Sequence, residues 1–90
     1  MVAYRVWYSG RVQGVGFRYS VKQIAAEFEV SGTVQNLSDG RVELMVQGEE
    51  AECRGMLDAI QDSHLHGLIH DRDEVSIGED LEMRGFAILR

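Results

Sequence analysis

The sequence predicts a small α+β domain of order βαββαβ, and three observations carry that prediction. Residues 3–9, AYRVWYS, alternate Tyr4, Val6 and Tyr8 against Ala3, Arg5 and Trp7, the period of a half-buried strand. Residues 19–29 and 49–62 each repeat apolar residues at i, i+3, i+4 and i+7, the single stripe of an amphipathic helix. Between them, residues 33–37 and 41–47 form two short runs joined through Asp39-Gly40, a hairpin signal.

The first strand ends in GRVQGVGFR, residues 10–18, which leads into the first helix. That helix buries Val21, Ile24, Ala25 and Phe28, and Ser31-Gly32 is read as its stop. The second strand of the hairpin sets Val42, Leu44 and Val46 against Arg41, Glu43, Met45 and Gln47. The second helix buries Cys53, Met56, Leu57 and Ile60; Glu49, Glu50 and Glu52 fall in its first turn, where the helix dipole favours anions, and Gly55 is its weak point. Residues 63–73 read as loop, Val75 and Ile77 as a fourth strand, and Phe86 and Ile88, with Ala87 and Leu89 opposite, as a fifth. Two one-striped helices cannot cover both faces of a sheet. Both are therefore expected on one face of an antiparallel sheet, in the ferredoxin-like arrangement.

Ninety residues allow one core, so residues 1–90 are read as a single folded domain. No stretch has a secretory signal or a membrane-spanning length, and the lone Cys53 allows no internal disulfide; a soluble, cytoplasmic monomer is expected. The formal net charge is −6, yet it is unevenly spread. Residues 1–22 hold Arg5, Arg11, Arg18 and Lys22 and no acid, whereas residues 49–90 hold eleven acids and four bases. Such a chain lacks the broad basic surface that a polyanion requires, so no nucleic-acid partner is expected, but one local positive pocket suffices for a small anion.

The glycine turn is the candidate for that pocket. Gly10, Gly14 and Gly16 permit φ > 0 and leave no Cβ in a ligand's way, so successive amides from Gln13 through Gly14, Val15, Gly16 and Phe17 can point into one concavity beside a helix N-terminus. Arg18 can add a planar fork that donates to two oxygens at once. Two nucleotide motifs fail on spacing: Gly16 is followed by Phe17-Arg18 rather than Lys-Ser/Thr, and Tyr19 stands where a dinucleotide fingerprint needs glycine. An RNA-binding domain of the same order wants aromatics on its third strand, and RVELMVQ has none.

GRVQGVGFR, followed by GTVQNLSDGRVELMVQG, closely resembles the acylphosphatase family, and the closing RGFAILR is similar to its terminal F-x-I strand. The resemblance is specific over residues 8–48 and looser beyond; the stretch from Ser63 to Gly85 departs from the family pattern and contains no proline. It implies hydrolysis of carboxyl-phosphate anhydrides without metal, organic cofactor or phosphoenzyme, on a small-molecule acyl phosphate. By the same resemblance Arg18 clamps the phosphoryl group, the backbone of residues 13–17 cradles it, and Asn36 orients the attacking water. The alternative is a noncatalytic anion-binding or regulatory module of the same fold.

Other features are read structurally. Arg11 and Lys22 are exposed charges, and Gln35, adjacent to Asn36 along a strand, faces the opposite side. His64, His66 and His70, with Asp71 and Asp73, are read as surface residues and not as metal ligands, because a loop would not fix their geometry. Cys53, at a helix core position, is read as an inert buried thiol.

Overall fold

The computed structural model of the chain describes residues 1–78 and 83–89. Its elements run β1 (Val2–Gly10), α1 (Phe17–Ala25), β2 (Val30–Asn36), β3 (Val42–Gly48), α2 (Glu50–Gln61), a 3-10 turn (His66–Leu68), β4 (Ile69–Gly78) and β5 (Phe86–Leu89). The strands form one sheet in the order β4-β1-β3-β2-β5.

Strand alternation decides which face is covered. Val6 and Tyr8 of β1, Val34 of β2, and Val42, Leu44 and Val46 of β3 are fully buried, and the register aligns Val6, Leu44 and Val34 in one row. Phe17, Val21 and Ala25 from α1 and Cys53, Met56, Leu57 and Ile60 from α2 complete the same core. Burying a side chain of this size contributes about 1.5–3 kcal/mol relative to exposure. The opposite sheet face stays polar: Trp7 Nε1 and Gln35 Nε2 donate to the two oxygens of Glu43 at 3.0 and 3.1 Å.

The antiparallel expectation holds for the pairs among β1, β2, β3 and β4, but β5 runs parallel to β2, so the sheet is mixed. The reason is topological. β4 occupies one edge, antiparallel to β1, and a strand returning from it to the far edge arrives in the direction of β2.

Several boundaries also differ. Helix α1 starts at Phe17 and ends at Ala25, after which Glu27 and Phe28 close tight turns onto Ile24 and Ala25, and the amide of Glu29 donates to the Glu52 carboxylate at 2.8 Å. Ser31-Gly32 lies inside β2, with Gly32 buried opposite Val46. Gly55 is a contact rather than a weakness: a Cβ there would come within 2.8 Å of the Phe28 ring, so glycine lets α2 approach it. The largest correction concerns residues 63–73, read as loop, because β4 begins at Ile69. Its alternation is hidden by charge. Arg72 and Glu74 sit opposite Tyr8 and Val6, and Glu74 is held by both guanidinium nitrogens of Arg54 at 3.0 and 2.7 Å. Of the stretch that departs from the family pattern, residues 79–82 lie outside the described residues.

Candidate active site

The glycine turn connects the end of β1 to the start of α1. Gly14 and Gly16 have φ of 76° and 77°, the left-handed region that residues with a Cβ rarely occupy. Neither would meet a neighbour within 4 Å if given a Cβ, so conformation, not crowding, requires glycine there. Gly16 is the N-cap of α1 and supplies no side-chain cap. The first intrahelical bond runs from the Ser20 amide to Gly16 O at 3.0 Å, which leaves the amides of Phe17, Arg18 and Tyr19 without intrahelical acceptors. The first turn carries no acid to neutralise them. This is the positive end of the helix dipole.

A cavity of about 260 Å³ opens onto this helix end, lined by Val12, Gly14, Gly16, Phe17, Arg18, Tyr19, Asn36 and Ile88. Among the described residues no Asp or Glu lines it. Arg18 is the cationic wall. One of its terminal nitrogens donates to Leu89 O at 3.2 Å, which ties the guanidinium to the end of β5, and among the described residues it makes no ion pair. Asn36 adds to the lining from the last position of β2. It pairs with Val42 and so shares the helix-facing side of the sheet, while Gln35 faces away onto Glu43. The Asn36 Oδ1 atom is buried and accepts no hydrogen bond from the described residues, a costly state for a carbonyl unless something else visits it.

Of the residues singled out from sequence, Gly14, Gly16, Phe17, Arg18 and Asn36 converge on one cavity, whereas Gln13 and Val15 are not among its walls. Val15 is an exposed residue of the turn, and the Gln13 side chain turns away to the β2–β3 hairpin, donating to Leu37 O and Arg41 O, each at 2.8 Å. Val12 and Ile88 are walls that sequence reasoning missed. Ile88 reaches the cavity only through the parallel pairing of β5 with β2, opposite Val34, which no local pattern announces. Tyr19, which in sequence only excludes a dinucleotide fingerprint, is an exposed side chain that also lines the cavity.

The remaining candidates are apart from it. Arg11 and Lys22 are exposed. His64 lies 3.3 Å from Ser20 Oγ, His66 3.1 Å from Gln61 O, and His70 sits in β4. Among the described residues no three His, Cys, Asp or Glu side chains are grouped to hold a metal ion, and no helix is long and apolar enough to cross a membrane.

Comparison with known proteins bears on the family and the fold. The acylphosphatase family model matches residues 4–88. An acylphosphatase of Bacillus licheniformis is 40% identical over 86 residues, covering 96% of this chain and 92% of that protein. The crystal structure of the acylphosphatase from Bacillus subtilis superposes with a TM-score of 0.91 at 32% identity, each chain covered completely. The chain is also similar to HypF of T. kodakarensis, with a TM-score of 0.85 at 30% identity, although it spans only 12% of that larger protein. The family match over nearly the whole chain, with relatives of the same length and the same fold, shows that the chain belongs to the acylphosphatase family and has its hydrolase activity.

Proposed function

We propose that the chain hydrolyses the carboxyl-phosphate anhydride of small acyl phosphates by holding the phosphoryl group against the glycine turn and directing a water onto phosphorus. The convergence on one cavity of a helix end with no first-turn acid, the Arg18 guanidinium and an Asn36 Oδ1 that has no partner among the described residues supports this reading. An acyl phosphate carries its own good leaving group, so the protein's task is to position the reactants and stabilise charge on the equatorial oxygens. The amides at the turn and helix start face those oxygens, and Arg18 donates to two of them through its fork. Asn36 Oδ1 accepts a hydrogen from the attacking water, which aligns an oxygen lone pair with phosphorus opposite the departing carboxylate. The carboxylate leaves with the bond electrons, and phosphate and carboxylate are the products. In this reading the enzyme works as a cytoplasmic monomer on a diffusible substrate.

The test is hydrolysis of benzoyl phosphate in the presence of a chelator. Arg18→Ala is expected to lower kcat/KM by about 10³-fold, and Asn36→Ala to lower kcat by about 10²-fold with a smaller change in KM. Equal rates for wild type and both variants overturn the assignment. Phosphate binding that is lost in Arg18→Ala, with no turnover by the wild type, favours a noncatalytic anion-binding role instead.

A further inference from the structure

The two walls of the cavity come from separate parts of the chain, and one side chain outside the cavity joins them. Gln13 lies within the glycine turn, yet its carboxamide points to the β2–β3 hairpin, where Nε2 uses both hydrogens: one to Leu37 O and one to Arg41 O, each at 2.8 Å. Those carbonyls close the hairpin. Leu37 N donates to Arg41 O at 2.8 Å and Gly40 N to Leu37 O at 3.2 Å, immediately after the Asn36–Val42 pair. Of the segment's other described backbone bonds, Ser20 N to Gly16 O starts α1 and Arg11 N to Leu68 O, at 2.9 Å, leads to the opposite side of β1; neither reaches the hairpin.

Resting on the reading of Asn36 above, we infer that Gln13 is a positioning residue: its side chain sets the separation between the phosphate turn and Asn36. A hydrogen bond of this kind has little to do with holding phosphate, because the amides of residues 14–19 and Arg18 do not need the hairpin in place. It matters to the in-line water, whose alignment depends on both walls at once. An error of about 1 Å in such an arrangement costs on the order of 10² in rate. The donor geometry also explains why glutamine is used. Two carbonyl acceptors need two hydrogens from one atom, which an amide nitrogen supplies and a carboxylate, hydroxyl or thioether does not.

The experiment compares Gln13→Met, which keeps chain length without donors, with wild type, Asn36→Ala and the double variant. Benzoyl phosphate turnover and competitive inhibition by inorganic phosphate are the readouts. The expected result is a kcat about 10–100-fold lower in Gln13→Met, an inhibition constant for phosphate within about 3-fold of wild type, and little further loss when Gln13→Met is added to Asn36→Ala, since the coupled pair acts as one unit. Gln13→Glu supplies a second arm. Its carboxylate faces two carbonyl oxygens near neutral pH and regains one donor on protonation, so its activity relative to wild type is expected to rise as pH falls through the carboxyl range. A full, multiplicative penalty in the Asn36→Ala background, or phosphate affinity that falls in step with kcat, overturns the inference alone. A neutral Asn36→Ala overturns the water-orienting reading and this inference together. Should Gln13→Met fail to fold, a Gln13→Glu profile that parallels wild type at every pH overturns it equally.

Discussion

The opposite ends of β1 handle charge in opposite ways. Near its start, Tyr4 donates to Glu50, the Arg54 guanidinium stacks 5.1 Å from the Tyr4 ring and forks onto Glu74, and Arg72 approaches Glu74 at 3.7 Å. Beyond its end, the helix start carries three amides without intrahelical acceptors, no first-turn acid, and an arginine that among the described residues makes no ion pair. Arg54 in the first region and Arg18 in the second are both half-buried. Only the second leaves positive potential unspent and aims it into a cavity. Paired cations such as Arg54 secure β4 to α2, while an arginine answered only by a carbonyl remains available to an anion.

The largest effect that sharpens this contrast comes from changing the shape of the two cations while keeping their charge. Arg18→Lys retains a positive charge but loses the planar fork, and kcat/KM for benzoyl phosphate is expected to fall by about 10²-fold or more. Arg54→Lys is expected to leave activity unchanged within about 2-fold, because the residue is remote from the cavity. Comparable losses in both variants would mean that the difference between the regions is not functional.

A smaller effect separates conformation from charge within the turn. In Gly16→Ala the Cβ meets no neighbour, so the only cost is holding a left-handed backbone at φ 77°, about 1–2 kcal/mol. Relief of that strain would rotate the amides of the helix start, and activity is expected to drop about 10-fold alongside the loss of stability. Denaturant unfolding and turnover measured on the same sample check the two together; a stability loss with full activity would show that the amide directions survive.

The same contrast explains what was legible in the sequence. The core strands and both helices announce themselves because Val42, Leu44 and Val46, or Cys53, Met56, Leu57 and Ile60, are apolar at the period of their element. The glycine turn is legible because its backbone conformation demands a residue type, and Arg18 because it follows that turn. β4 is hidden because its inward positions include Arg72 and Glu74; Glu74 answers both Arg72 and Arg54, the latter twenty positions upstream of Glu74 on another element. The side-chain role of Gln13 and the contribution of Ile88 depend on which strands become neighbours, and local periodicity carries no information about that.

The paired region has a pH signature of its own. Hydrogen bonds from Arg54 hold the Glu74 carboxyl below its usual value of 4.5, against a smaller opposing effect of burial. A carboxyl depressed in the folded state stabilises the fold above its unfolded pKa, and that contribution is lost as pH falls through the folded value. Glu74→Gln is therefore expected to be less stable than wild type by about 1 kcal/mol at pH 7, with the gap closing below about pH 4.5. Unfolding midpoints across pH 3–7 measure it, and a gap that persists at the acid end would show that the loss comes from packing instead. Benzoyl phosphate turnover at pH 7 should stay within about 2-fold of wild type.

The smallest expected effect on activity belongs to Cys53, the single cysteine of the chain. Cys53 is fully buried on α2, and burial, together with the carboxylate of Glu50, pushes its thiol pKa upward, so little thiolate exists near neutral pH. A disulfide reagent can reach it only when the chain opens, so the modification rate should track unfolding and rise with denaturant rather than follow the reactivity of a free thiol. Cys53→Ala should leave kcat/KM unchanged and reduce stability by about 1 kcal/mol through the lost sulfur contacts. Rapid labelling of the native protein, or loss of turnover on labelling before any unfolding, would place a reactive group where the contrast between the two regions allows none.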